Sequence, residues 1–447
     1  MSKIDARQQF ICMAAATGGL LFGFDTAVIS GALEPIKTQF ALNSIMEGWL
    51  VSSGLVGCIV GVLITGLLSD RIGRKKTILL SGLMFLLSAI GCAFAGSVSL
   101  LVFSRVVGGI GVGMASVISH MYISEFAEAR KRGRMVAWYQ LAITAGILLA
   151  YFSNALLIKF PIASWESWRP MFLMMALPSV LFMILLAGIP ESPRWLISVR
   201  EHEKAADVLA GVREPNDALM ELDQIKKAAQ LIAGRQSSLF SPALRIPLLI
   251  GILLAVFQQF SGINAIIYYG PSIFKAAGID TSNALVLQVV IGAVNLLATL
   301  VAIKWVDHYG RKKLLAVGLG GIVLSLLLCG ALFYMGKTEG PWLLVLMLFY
   351  IACFAFSLGP ITWIIINEIF PTAVRVKAVA ICTLMLWVAV WVVGQFVPWL
   401  LEHAGPALMF WIFALFSAAN YFFTRNMLKE TKGKTLEEME AVFASPH

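Results

Sequence analysis

Charge is scarce in this sequence. Only 13% of its 447 residues are Asp, Glu, Lys or Arg, against about 25% in a soluble globular chain. With 59% hydrophobic residues and a mean hydropathy of +0.85, a fold solvated on all sides is excluded. Cysteine is also sparse. Cys12, Cys58, Cys92, Cys329, Cys353 and Cys382 all fall inside apolar runs, which excludes a disulfide framework and offers no metal-ligand spacing. No nucleophile–base pair, metal motif or cofactor fingerprint is found, so neither an enzyme nor a cofactor is expected. The net charge of +9 comes from basic residues in short loops rather than from a continuous patch. No nucleic-acid partner is expected; the lipid bilayer is.

What the sequence has is apolar runs of spanning length. Twelve occur, at 10–33, 47–68, 77–96, 99–121, 135–158, 170–189, 246–276, 283–305, 313–335, 341–366, 376–400 and 406–426; a helix needs about 20 residues to cross the hydrocarbon core. The fold class expected is all-α integral membrane, with twelve transmembrane helices. Lys3 and Arg7 precede the first run, but it exceeds the 7–15 residues typical of a signal peptide and reads as an uncleaved span. Arg71, Arg74, Lys75 and Lys76 follow the second span; Arg130, Lys131, Arg132 and Arg134 the fourth; Arg311, Lys312 and Lys313 the eighth. The alternate loops are poorer, so the positive-inside rule puts both termini in the cytoplasm of a multi-pass plasma (inner) membrane protein. The polar segment near 191–244 carries Leu222, Ile225, Ala229 and Ile232 at helical spacing. Short amphipathic helices on the cytoplasmic face and a solvated linker both fit. The expected division is a six-helix bundle over 1–189, a linker over 190–245, a second bundle over 246–428 and a charged tail over 429–447.

The charged clusters repeat. Asp70-Arg71-Ile72-Gly73-Arg74-Lys75-Lys76 returns 237 positions later as Asp307-His308-Tyr309-Gly310-Arg311-Lys312-Lys313. Glu125 with Arg134 is echoed by Glu368 with Arg375, and Glu191 with Arg194 by Glu430. Three matches in one order at nearly one offset predict two six-span halves in parallel orientation, with substrate at their interface near mid-membrane. The acidic members add nothing to topology, so Asp70, Arg71, Arg74, Glu125, Arg134, Glu191, Arg194, Asp307, Arg311, Glu368, Arg375 and Glu430 are read as a gating network of salt bridges.

Two charges stand alone inside spans. Asp25 lies ~22 Å up from the start of the first run, and Arg105, on a span running the other way, ~9 Å below its outer end. In a core of ~30 Å these depths coincide, which makes the two partners. Free aspartate titrates near ~3.9; burial raises a carboxyl and a neighbouring arginine lowers it, so separating and re-pairing them would take up and release a proton. His120, near the inner end of the fourth span, reads as an interfacial side chain. Amides within spans are costly unless they face a polar cavity or pair across helices. Gln140, Gln258, Gln259, Asn264 and Asn295 lie deep enough to qualify, and amides suit sugar hydroxyls because they both donate and accept. Gln258 and Gln259 point ~100° apart on an ideal helix, so a break near Gly262 is needed to bring both, with Asn264, onto one ligand.

Over nearly its whole length the chain resembles the sugar porters of the major facilitator superfamily. The matching stretches are Gly19 to Gly31, the two Gly-Arg-Lys loops, Arg105-Val106-Val107-Gly108-Gly109-Ile110-Gly111-Val112-Gly113, Pro190 to Arg194, and Gln258-Gln259-Phe260-Ser261-Gly262-Ile263-Asn264. The resemblance implies two bundles rocking about a central sugar site, proton coupling through Asp25 and Arg105, and sugar contacts at Phe22, Gln140, Gln258, Gln259, Asn264, Tyr268, Asn295, Gly359, Trp363 and Trp387. Val376 stands where the family usually has glycine and Lys429 where it has proline. Ile147 and Leu386 replace two glutamines of the family's xylose porters, and isoleucine at the first is typical of glucose carriers. The expected function is therefore monosaccharide:proton symport, of a hexose such as glucose, by a monomer without metal or cofactor. An uncoupled sugar uniporter and a non-transporting membrane sugar sensor remain alternatives.

Overall fold

In lipid every backbone N–H and C=O must find its partner within the chain, which leaves a long apolar segment little choice but a helix. The computed structural model describes residues 3–128, 132–162, 164–232, 242–370, 374–428 and 430. Its helices are α1 (Lys3–Phe40), α2 (Ser44–Ile72), α3 (Arg74–Ala93), α4 (Val98–Phe126), α5 (Arg132–Lys159), α6 (Trp168–Leu173) and α7 (Ala176–Ala187). Three short helices follow: α8 (Pro193–Ser198), α9 (His202–Ala210) and α10 (Pro215–Ile232). The rest are α11 (Pro242–Phe260), α12 (Ile263–Ala276), α13 (Thr281–Tyr309), α14 (Arg311–Tyr334), α15 (Trp342–Phe356), α16 (Leu358–Glu368), α17 (Arg375–His403) and α18 (Gly405–Met427).

Among the described residues, twelve segments are long and apolar enough to cross a membrane. The pairs α6–α7, α11–α12 and α15–α16 each make up one such segment. The first helix extends beyond both ends of the apolar run at 10–33, and α4 continues past 121 to Phe126. Hydropathy marks only the hydrocarbon slab; the helices carry on past it on polar residues such as Glu34, Lys37 and Glu125. Loops are closed by ordinary caps. Ser97 accepts from Leu100 N at 3.3 Å at the start of α4. Asp280 accepts from Asn283 N at 3.1 Å at the start of α13, a bond that holds its carboxyl below the usual carboxylate range.

By packing, the chain groups into two units. Unit 1 is Met1–Asp25, Val56–Gly146 and Phe172–Gln236; unit 2 is Thr26–Leu55, Ile147–Met171 and Ser237–His447. The boundaries thus cut through α1, α2, α5 and α6. In unit 1, α3 packs along α4 and α7, and α2 meets α4 backbone to backbone: a Cβ on Gly57 would come within 2.9 Å of Ile110 N. The short helices belong to this unit. Leu196, Ile197, Ala205, Leu209, Ala218 and Ile225 form their shared core, with Trp195 and Leu222 packed against it. Arg213 pairs with Glu221 at 2.6 Å. Over 191–232, the described part of the segment that precedes α11, the helical option is therefore the one realised; residues 233–241 and the side chains of Ala229 and Ile232 lie outside the described residues. So does the tail from Lys429, Glu430 excepted. In unit 2, α14 packs on α15 and α18, and α11 on α17. The far ends of α1, α2 and α5 join this unit. Tyr151 donates to the Ile267 carbonyl at 3.1 Å, and Gln395 donates to the Ile45 carbonyl at 3.1 Å.

Candidate functional site

Asp25 on α1 and Arg105 on α4 meet inside unit 1. Arg105 Nη1 donates to Asp25 Oδ1 at 2.9 Å and reaches the Asp25 carbonyl at 3.4 Å. The two side chains are only 5% and 4% exposed. The approach depends on Gly108, one turn after Arg105, where a Cβ would sit 3.3 Å from Asp25 Oδ1 and 2.9 Å from Ser88 Cβ. A buried ion pair is worth little net stability over an apolar pair of the same shape, but losing one partner strands a buried charge. Such a pair is better suited to switching than to holding a fold together. His120 does not join it. Its Nδ1 donates to the Ser116 carbonyl at 2.7 Å, and its ring lies against Tyr139 with centroids 4.2 Å apart.

The amides of unit 2 form a relay. Asn264 Nδ2 donates to Gln259 Oε1 at 2.6 Å, and Gln259 Nε2 to Gln258 Oε1 at 3.1 Å. Gln258 Nε2 donates to the carbonyls of Leu358 at 2.7 Å and Gly359 at 3.3 Å. Its first link, from Asn264 to Gln259, crosses a break in the seventh span. Gly262 adopts φ +91° between α11 and α12, a region costly for residues bearing a Cβ. A Cβ there would also lie 2.6 Å from the Phe413 ring. The tenth span breaks too, at Ser357 (φ −121°, ψ −87°) between α15 and α16. Tyr350 Oη ties the two breaks together by donating to the Ser261 carbonyl at 3.0 Å. Sequence reasoning found the first break and missed the second; its signal was Gly359-Pro360 inside an apolar run. The Leu358 carbonyl, a backbone member of the relay, was missed with it.

Four of the expected sugar contacts, Gln258, Gln259, Asn264 and Gly359, are thus brought together. Tyr268 lies one turn beyond Asn264, buried and edge-on to Tyr269 at 6.3 Å. Asn295 on α13 and Trp387 on α17 are buried, and Trp363 on α16 is half-buried. Phe22 and Gln140, half-buried, belong to unit 1. Ile147 and Leu386 are both buried and apolar.

The repeated clusters turn out to be helix caps reinforced by ion pairs. Glu191 accepts from the backbone N–H of Arg74, Lys75 and Ser192 at 3.0, 3.0 and 2.8 Å. Glu430 accepts from Arg311 and Lys312 at 2.9 and 3.1 Å. Each carboxylate caps a helix that starts after a glycine with positive φ, Gly73 at +98° and Gly310 at +84°. A carboxylate at a helix N-terminus satisfies orphan donors and meets the positive end of the dipole. Beside the first cap, Arg74 bonds Asp70 at 2.9 Å and pairs with Glu125 at 3.6 Å. Glu125 in turn accepts from Ser192 Oγ. Beside the second, Arg311 pairs with Glu368 at 3.3 Å. Arg71 and Arg194 are exposed, and the side chains of Arg134, Asp307 and Arg375 lie outside the described residues. Sequence reasoning named Glu191 and Glu430 as salt-bridge members and missed their capping of backbone N–H groups.

Residues 11–443 match the family described as Sugar (and other) transporter. The chain is 41% identical to the arabinose-proton symporter of Bacillus subtilis over 437 residues, covering 97% of this chain and 94% of that protein. It is 38% identical to the D-xylose-proton symporter of Escherichia coli K12 (97% and 95% covered) and 36% identical to the glucose transporter GlcP of Staphylococcus epidermidis (97% of each). Among solved structures, the inward-open xylose transporter XylE of E. coli superposes with TM-score 0.86 at 36% identity, over 97% of this chain and 99% of that one. XylE bound to 6-bromo-6-deoxy-D-glucose superposes with TM-score 0.81 at 36% identity, over 98% and 99%.

Proposed function

We propose, from the premise that this chain belongs to the sugar transporter family, that it carries a monosaccharide and a proton together by exposing one site alternately to the two sides of the membrane. The fold is that of the major facilitator superfamily, and the protein is a multi-pass membrane protein rather than an enzyme. Proton coupling rests on one observation: a carboxylate and a guanidinium 2.9 Å apart, sealed from solvent within two spans. The arabinose- and xylose-proton symporters among its relatives support the same reading. A guanidinium beside a carboxyl favours its ionised form. A conformational change that draws Arg105 away leaves a desolvated carboxylate, which takes a proton; re-pairing expels it. One proton moving down the membrane potential supplies ~2.3 kcal/mol per 100 mV, enough for roughly 50-fold accumulation of sugar at ~1.4 kcal/mol per decade.

The sugar is read as a hexose. The amide relay offers donors and acceptors for ring hydroxyls, while Ile147 and Leu386 present buried methyls where the xylose porters of the family carry glutamines. A pentose is the second reading, favoured by relatives: 41% and 38% identity to the arabinose and xylose carriers against 36% to the glucose carrier. The capped clusters at Glu191 and Glu430 are read as stiffening the end of the bundle that bears the termini, taken as cytoplasmic, of a monomer in the plasma membrane. The test is uptake of radiolabelled hexoses, pentoses and inositol into proteoliposomes, with and without a proton ionophore. Ionophore-sensitive accumulation of a hexose fulfils the proposal. Uptake that never exceeds equilibrium makes the protein a uniporter, and binding without counterflow makes it a sensor.

A further inference from the structure

Unit 1 contains a histidine that the proton pair leaves unused. Gln8 Nε2 donates to the Phe126 carbonyl at 2.9 Å, so the last turn of α4 lies at the end that bears the N-terminus. Asp25 lies level with Gly108. His120, twelve residues beyond Gly108 and six before Phe126, therefore stands between the pair and that end. Its partner fixes its tautomer. A carbonyl only accepts, so the Nδ1 that meets the Ser116 carbonyl at 2.7 Å carries the hydrogen, and the neutral ring keeps its lone pair on Nε2. Two hydroxyls lie beside it. The Tyr139 ring of α5 is 4.2 Å from the imidazole, and Ser119 is the next residue in the chain. Ser119 and Tyr139 are at most 1% exposed, and neither hydroxyl has a hydrogen-bond partner among the described residues. Both residues press on α1 two turns from Asp25: a Cβ on Gly18 would lie 2.6 Å from Ser119 Oγ, and one on Gly19 3.2 Å from the Tyr139 ring. Buried hydroxyls without a protein partner are the groups that bind water. The ring and the two hydroxyls thus form a polar strip on the way from Asp25 to the N-terminal end, and the ~10 Å from Asp25 to Gly18 along α1 is a distance that a few waters bridge.

We propose that His120 receives the proton that Asp25 gives up and passes it to water at the end that bears the N-terminus. The inference rests on the proton-coupling reading above. When Arg105 re-pairs with Asp25, the expelled proton needs a lone pair to accept it. The Tyr139 and Ser119 hydroxyls each take a proton on oxygen and give up their own, so neither changes net. Nε2 of His120 takes the last one. The imidazolium that results keeps its Nδ1–H bond to the Ser116 carbonyl, and a charged donor strengthens such a bond. Loss of the Nε2 proton to water restores the neutral ring. An imidazole suits the task because it both takes and yields protons near neutral pH. Unlike Asp25, His120 is half-buried rather than sealed, so water reaches it.

The test is His120→Asn in the full chain, reconstituted in proteoliposomes. Asparagine keeps an N–H donor for the Ser116 carbonyl and lacks the second ring nitrogen. Net sugar uptake driven by a membrane potential is expected to slow about tenfold or more, since a side chain placed to move a proton is worth roughly 10²–10⁴ in rate and other steps share the limit. Counterflow, in which the carrier returns loaded and releases no net proton, should keep its wild-type rate. The final accumulation of sugar should also be unchanged, because the stoichiometry is. Imidazole in the medium should restore net uptake, whereas an equal concentration of a bulkier buffer such as MES should not. Tyr139→Phe, which keeps the ring against His120, is expected to slow net uptake several-fold in the same pattern. An unaltered net rate in His120→Asn, a counterflow slowed to the same degree, or the lack of imidazole rescue overturns the relay. The wild type decides the reading beneath it. Counterflow without ionophore-sensitive accumulation removes proton coupling and the relay together; accumulation in the wild type with no defect in His120→Asn removes the relay alone.

Discussion

The first and seventh spans occupy equivalent places in the repeat, yet they carry opposite chemistry. α1 runs unbroken from Lys3 to Phe40 and buries a carboxylate against an arginine of α4. Its counterpart is split at Gly262 into α11 and α12 and buries neutral amides that bond one another and two backbone carbonyls. An unbroken helix offers side chains only, so its polar centre must find a side-chain partner. A broken one also brings residues from either side of the break together, so Asn264 of α12 reaches Gln259 of α11. On the proposed function, the proton's energetics belong to one half of the repeat and most of the hydrogen-bonding to sugar to the other.

The sharpest way to break this division is to strand the charge. Arg105→Leu is expected to destabilise the folded protein by about 3–5 kcal/mol, because it leaves an uncompensated buried carboxylate, and Asp25→Asn with Arg105→Leu should recover most of that loss. Thermal unfolding of the four proteins in one detergent checks it, and additivity of the two changes would contradict it. On the amide side, Gln258→Leu removes the donor that holds the Leu358 carbonyl and is expected to weaken sugar binding about 10- to 100-fold. Calorimetry should show that loss with little change in sugar-driven pH shifts at saturating sugar. Gly262→Ala tests whether the break itself matters. The strained φ and the Phe413 contact predict about 1–3 kcal/mol lost stability, and sugar affinity should fall with it. The smallest effect compares the two caps. Glu191→Ala, losing three backbone partners, should cost about 1–2 kcal/mol, and Glu430→Ala, losing two, about 0.5–1 kcal/mol; the melting temperatures of the two variants give the order.

Much of this was legible in the sequence because membrane depth is nearly one-dimensional. Counting residues at helical rise put Asp25 and Arg105 at one level, and they meet at 2.9 Å. The need for two neighbouring glutamines to face one ligand pointed to Gly262, where the chain does turn. Contacts running across the bundle were not legible. Glu34 and Lys275 form an ion pair, yet they look like any solvated charges at helix ends, and nothing local ties residues 241 positions apart. Glu191 read as an ion-pair member because its backbone partners carry no sequence signal; only the fold shows that its carboxylate faces the open N–H groups of α3. Hydropathy likewise missed the continuation of α1 to Phe40, since a helix does not end where the lipid does.

The claim on which the account turns is that Asp25 carries the proton. The most direct measurement is the external alkalinisation caused by adding sugar to de-energised proteoliposomes, with counterflow recorded on the same preparation. For Asp25→Asn the account predicts no alkalinisation, while sugar exchange continues at a rate comparable to wild type. Sugar-dependent alkalinisation that persists in the variant would contradict it.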